Sequence, residues 1–172
     1  GLAIIGVAML IFTTVGVGTP YWTLAVIFFL IGVGMGLTMA PSTTMVMDSI
    51  PHDKAGVGSA TNDASREVGG AFGIAIVGSA VNEIYQSEMV VPVGLEAQSA
   101  LVSESFPAAI RIGNELLAQG NAIGMELIGN AQHAFVEGMT GAAAISALVA
   151  FVNSILVKLY MPRAVPSESE GA

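Results

Sequence analysis

Asp63, Arg66 and Glu67 are the one cluster of ionisable side chains inside an expected membrane helix. Arg66 follows Asp63 by three residues, so on a helix the two share a face. Charge inside a membrane-spanning helix is costly, and it commonly marks a gate, a proton relay or an ion path. Asp63, Arg66 and Glu67 are therefore candidate gating or coupling residues, with Arg66 expected to pair with Asp63. The plainer reading is an arginine at headgroup level among satisfied neighbours. Four more residues are candidates for a substrate path: Asn62 beside the charged group, Asn153, and Met35 and Met39. An amide can hydrogen-bond a passing ligand or simply bond across helices. Flexible thioethers can line an adaptable apolar pocket or simply fill a core. Glu137 could carry a proton or face a cation, or sit at the interface.

Other chemistries lack their residues. His52 and His133 stand alone, without a second His or acid pair at metal-ligand spacing, so no metal is expected. The sequence has no cysteine, and it shows no nucleophile elbow, P-loop or dinucleotide fingerprint. No cofactor and no enzymatic activity are expected. Five Lys plus Arg against thirteen Asp plus Glu give a formal charge of −8, which argues against nucleic acid.

The elements that would position these residues are apolar helices. The 172 residues are 53% hydrophobic and only 10% charged, with a mean hydropathy of +0.75. A soluble domain carries about 25% charged residues, so a lipid bilayer is the expected surrounding. Spans are expected at residues 2–18, 21–47, 56–81 and 134–160. The first is not a signal peptide, because it lacks a basic n-region and a good cleavage site. Residues 48–55 form a hairpin turn between the second and third spans. Residues 82–133 are the one long polar stretch, with Glu83, Glu88, Glu96, Glu104, Glu115 and Glu126 against Arg111. It is expected to be a loop partly lying on the surface, with a break at Val91-Pro92-Val93-Gly94, an amphipathic helix at 107–119 and helix from 121 running into the last span. With few large apolar side chains it should bury little core. The tail, 162–172, has a disordered composition.

Orientation follows from the cations. Lys54 and Arg66 flank one turn, and Lys158 and Arg163 flank the last helix end. Four spans put both places on one side, which the positive-inside rule makes cytoplasmic. Both ends of the chain are then cytoplasmic and 82–133 lies outside. The chain starts without Met and inside an apolar stretch, so a piece of a longer protein is expected.

The glycines are too regular for loops: Gly32 and Gly36 lie four apart, as do Gly69 and Gly73, with Gly70 between. Inside a soluble helix each would cost about 1 kcal/mol relative to alanine. In lipid the helix persists, and a glycine row lets a neighbour approach closely. Pro41 removes one bond from the second helix and favours a kink.

The ordered set Gly32, Gly34, Gly36, Pro41, Pro51, Gly56, Gly58, Ser59, Ala60, Arg66, Gly69, Gly70, Ala71, Gly73, Ala75, Gly78 and Ser79 resembles the major facilitator superfamily. Within it, the set is most similar to the EmrB/QacA type of drug:proton antiporter, with fourteen transmembrane segments. The likeness covers just over a quarter of the chain, and the flanking segments match in hydropathy and order alone. It implies an all-α, multi-pass transmembrane helix bundle: part of the C-terminal bundle of a major facilitator fold, residues 1–161 supplying the last four segments. It implies efflux of hydrophobic or cationic drugs by alternating access, driven by a proton gradient, from a plasma (inner) membrane. Its partners would be the bilayer, the N-terminal part of the same transporter and the substrate. The proton-coupling acids of the family lie in that other part. Rival readings are another exporter or symporter of the superfamily, a four-span scaffold or accessory subunit, and a membrane enzyme.

Overall fold

The computed structural model describes residues 1–51 and 54–160. His52 and the tail at 162–172 lie outside the described residues. Among the described residues six α-helices follow in order: α1 (Leu2–Phe12), α2 (Tyr21–Asp48), α3 (Ala55–Glu88), α4 (Ser99–Glu104), α5 (Phe106–Ala118) and α6 (Ile123–Tyr160), with a 3-10 turn at Glu96–Gln98. The fold is an all-α membrane helix bundle. α2, α3 and α6 are long and apolar enough to cross a membrane.

α6 is the hub: it packs against α1, α3 and α5, and α2 joins the bundle mainly through α1. The α1–α2 and α3–α6 contacts run through glycines. A Cβ on Gly34 would come within 2.6 Å of Ile5 Cγ1 and 2.8 Å of the Gly1 carbonyl oxygen. A Cβ on Gly138 would stand 2.7 Å from the Val81 carbonyl oxygen. Backbones meet there because no side chain intervenes.

Three expectations are corrected. The first span, expected at 2–18, is helical only over Leu2–Phe12, 11 residues or about 16 Å at the α-helical rise. Thr13 and Thr14 turn their hydroxyls back to the Leu10 and Ile11 carbonyls and close the helix. Second, 82–133 is far more helical than a surface loop. α3 continues into it to Glu88, while α6 begins at Ile123, in keeping with the helix expected from 121 into the last span. α5, where an amphipathic helix is expected at 107–119, starts at Phe106 with Pro107 in its first turn and the Ser105 side chain accepting from the Ala108 N–H.

Third, this region buries a core. Tyr85, Met89, Leu95, Val102, Ala109, Ile112, Leu127, Ala131 and Ala134 form a buried apolar cluster. Small residues suffice because the ends of α3 and α6 supply two walls. Ile123, Leu127, Ala131 and Ala134 recur at helical spacing, and that stripe carries α6 through a polar sequence. The Tyr85 hydroxyl donates to the Val102 carbonyl at 2.8 Å, and Asn130 Nδ2 donates to the Val90 carbonyl at 2.9 Å. Both bonds tie the cap to a long helix. The cap joins the C-terminal end of α3 to the N-terminal end of α6. The two helices therefore run antiparallel, with Lys54 and Lys158 at the opposite end of the bundle.

Candidate functional site

The charged group lies on α3, in the half away from the cap. Asp63, Arg66 and Glu67 are exposed and Asn62 is half-buried. Arg66 does not pair with its neighbours: no ion pair joins it to Asp63 or Glu67 among the described residues. Its Nη2 instead donates to Thr43 Oγ1 on α2, at 2.5 Å. Thr43 Oγ1 in turn donates to the Met39 carbonyl at 3.0 Å. The threonine thus uses its donor on its own helix and its acceptor on α3. This link falls two residues after Pro41, which lies within an otherwise continuous α2. Proline removes one ladder bond there. The Thr38 and Thr44 hydroxyls bond back to the Gly34 and Ala40 carbonyls around it. Elsewhere α2 and α3 touch little, so this contact is a large share of what holds them together.

The polar entry of α3 is otherwise self-contained. Thr61 and Ser65 donate to the Val57 and Thr61 carbonyls of their own helix. Asn153 behaves alike, its Nδ2 donating to the Val149 carbonyl at 2.9 Å. Met35 and Met39 are 48% and 43% exposed. The structure brings neither together with Asn62 or Asn153 in a described pocket. Met9 and Met139, which sequence spacing does not single out, line an apolar cavity of about 230 Å³ with Phe12, Val77, Val81 and Ala142. It lies where α1, α3 and α6 meet. Glu137 has the His133 Nε2 at 3.9 Å, both side chains being largely exposed.

Among the described residues the glycine rows pack against nothing. Nothing lies within 4 Å of a Cβ built on Gly32, Gly36, Gly69, Gly70 or Gly73. The packed glycine of α2 is Gly34, two residues and so about 200° round the helix from either member of the Gly32/Gly36 row. The row is aimed away from α1. Pro41 is exposed in the same half of α2.

At the cap, Phe106 stacks on Phe135, with ring centroids 4.4 Å apart and planes 17° from parallel. Tyr85 meets Phe106 edge-on at 6.2 Å and 87°. All three rings line a pocket of about 410 Å³ with Asn82, Glu104 and Ser105. Spacing in sequence gives no hint of this group, because its members come from α3, α5 and α6.

The chain is 31% identical over 137 residues to the methyl viologen resistance protein SmvA of Salmonella typhimurium, 78% of this chain and 26% of that protein. It is 28% identical over 131 residues to the multidrug efflux pump LfrA of Mycolicibacterium smegmatis, 76% of this chain and 25% of the pump. A tetracycline resistance determinant of Streptomyces rimosus is 33% identical over 81 residues, 44% of this chain and 23% of that protein. Its relatives are drug efflux and resistance proteins. The chain spans about a quarter of the length of these curated relatives. No family model matches the chain, and no solved structure does.

Proposed function

We propose that the chain is part of a secondary transporter of the major facilitator superfamily, of the EmrB/QacA type, that exports hydrophobic or cationic drugs in exchange for protons. It is not an enzyme. The observation that carries this reading is the likeness to SmvA and LfrA over more than three quarters of the chain. The geometry supports it with three spanning-length helices and a fourth, α1, packed between α2 and α6. Residues 1–161 would supply the last four of fourteen segments, and an N-terminal part the proton-coupling acids and the rest of the bundle. In this reading the chain sits in the plasma (inner) membrane with both ends cytoplasmic and the cap outside.

Alternating access needs helix contacts that form in one state and open in the other. Arg66 to Thr43 is suited to that: one charge-assisted bond between two helices that otherwise touch little. Asp63 and Glu67 flank the arginine and would take it over when the bond opens. Asn62, Met35, Met39 and Asn153 would lie along the substrate path. The open rows at Gly32/Gly36 and Gly69/Gly70/Gly73 would slide against helices from the rest of the transporter.

Efflux of a fluorescent cationic dye from cells expressing the full-length protein tests this. Wild type should lower dye accumulation, a protonophore should abolish the effect, and Arg66→Ala should fail at normal membrane abundance. Dye levels indifferent to the protein would sink the drug-export reading. An active Arg66→Ala protein would reduce that residue to headgroup anchoring.

A further inference from the structure

We propose that the cap carries its own binding site for a flat or quaternary organic cation, in the pocket formed by Asn82, Tyr85, Glu104, Phe106 and Phe135. The idea that such cations reach this end of the bundle rests on the transport reading above; the pocket itself does not. Its volume, about 410 Å³, suits a small ligand. Three aromatic rings from three helices line it, two stacked and one edge-on. A cation is attracted to an open aromatic face; the stacked phenylalanines cover one face of each other and Tyr85, 2% exposed, backs them, so the face left to a ligand belongs to the Phe106/Phe135 pair. Glu104 adds a carboxylate to the lining, and the Asn82 amide a neutral acceptor.

The surroundings favour the same sign of charge. Arg111 is the single Lys or Arg between Glu67 and Val157, and it is engaged by Glu115 at 2.9 Å. Glu83, Glu88, Glu96, Glu126 and Glu137 belong to the same part of the sequence. A pocket in that field repels anions and concentrates cations. Phe106 and Phe135 also line a second pocket of about 560 Å³, closed by the α1–α2 turn from Val15 to Tyr21 and by Gln132. The stacked pair is therefore a wall common to two cavities.

The test is equilibrium binding of tetraphenylphosphonium to the purified full-length protein, with unfolding temperature measured on each variant. Glu104→Gln changes an exposed side chain and leaves the core intact; it should weaken binding about tenfold. Phe135→Leu should do the same, and Phe135→Tyr, which keeps the ring, should lose less than Phe135→Leu. Glu96→Gln removes an equal charge away from the pocket and should bind as wild type. Binding unchanged in Glu104→Gln would overturn the site, as would an equal loss in Glu96→Gln, which would mean bulk charge alone. Absence of binding to wild type would also overturn it. Dye export measured in parallel separates the two ideas: a wild type that binds at Glu104 without exporting dye keeps the site and loses the transport reading.

Discussion

Arg66 on α3 and Thr43 on α2 are joined by a hydrogen bond that bypasses both acids beside the arginine. A guanidinium at this position has Asp63 within reach along its own helix, yet a neutral hydroxyl takes it. Thr43 is free to accept because its own proton is already committed to the Met39 carbonyl. The arrangement fixes the arginine without neutralising it, so the acids remain available as alternative partners.

Thr43→Val keeps the shape of the side chain and removes the acceptor. In the full-length protein it should reproduce the effect of Arg66→Ala on dye export, and the double variant should be no worse than either alone. The coupling between the two, read from the cycle of four proteins, should be about fivefold. Independent, additive losses would mean that the bond does not operate in the working protein.

Gly138 should tolerate no side chain. A methyl there meets the Val81 backbone oxygen, which cannot swing aside. Gly138→Ala should destabilise the protein by about 1–3 kcal/mol, the usual cost of overpacking, seen as a lower unfolding temperature in detergent.

Tyr85 is 2% exposed and its hydroxyl reaches the Val102 carbonyl. Tyr85→Phe keeps the ring and the edge-on contact with Phe106 but leaves that carbonyl unpaired. The cost should be about 1–3 kcal/mol, measured as faster amide exchange across α4. No change in exchange would mean that water replaces the phenol.

Glu96 Oε1 accepts from the Gly94 N–H at 2.9 Å. That backbone bond, with a smaller contribution from the glutamate's own N–H, holds its carboxyl below the usual range. Because the folded value is depressed, the stabilisation is present above the unfolded pKa and is lost as pH falls through the folded one. Gly94 has φ of +99°, a conformation that suits glycine. Acidification should therefore loosen this turn first, visible as faster exchange of the Gly94 amide than neighbouring amides show. Glu96→Gln should remove the pH dependence.

Hydropathy makes α2 legible almost to the residue, since nothing polar interrupts Leu24 to Gly36. The start of α6 at Ile123 falls close to the helix expected from 121, because Leu127, Ala131 and Ala134 keep helical period through a polar stretch, although only 134–160 reads as apolar span. Hydropathy overextends α1, where Thr13 and Thr14 can sit in a helix but here end one. The spacing that puts Asp63 and Arg66 on one face is real, but the bond goes to a residue of another helix. Ser42-Thr43-Thr44 after Pro41 was the available signal for it. The glycine rows are visible as a pattern, while the glycines that pack, Gly34 and Gly138, depend on which face each helix turns inward. The aromatic trio of Tyr85, Phe106 and Phe135 is assembled by tertiary folding alone.

α6 runs unbroken from Ile123 to Tyr160, 38 residues, or about 57 Å at the α-helical rise. One rod is thus both a wall of the cap and a bilayer-crossing segment. A swing of about 10° around its midpoint would carry its tip by about 5 Å, given that length. The cap is bolted to this tip through Leu127, Asn130 and Ala131. The bundle therefore has a mechanical lever: a change in the inclination of α6 is delivered along the rod to the cap.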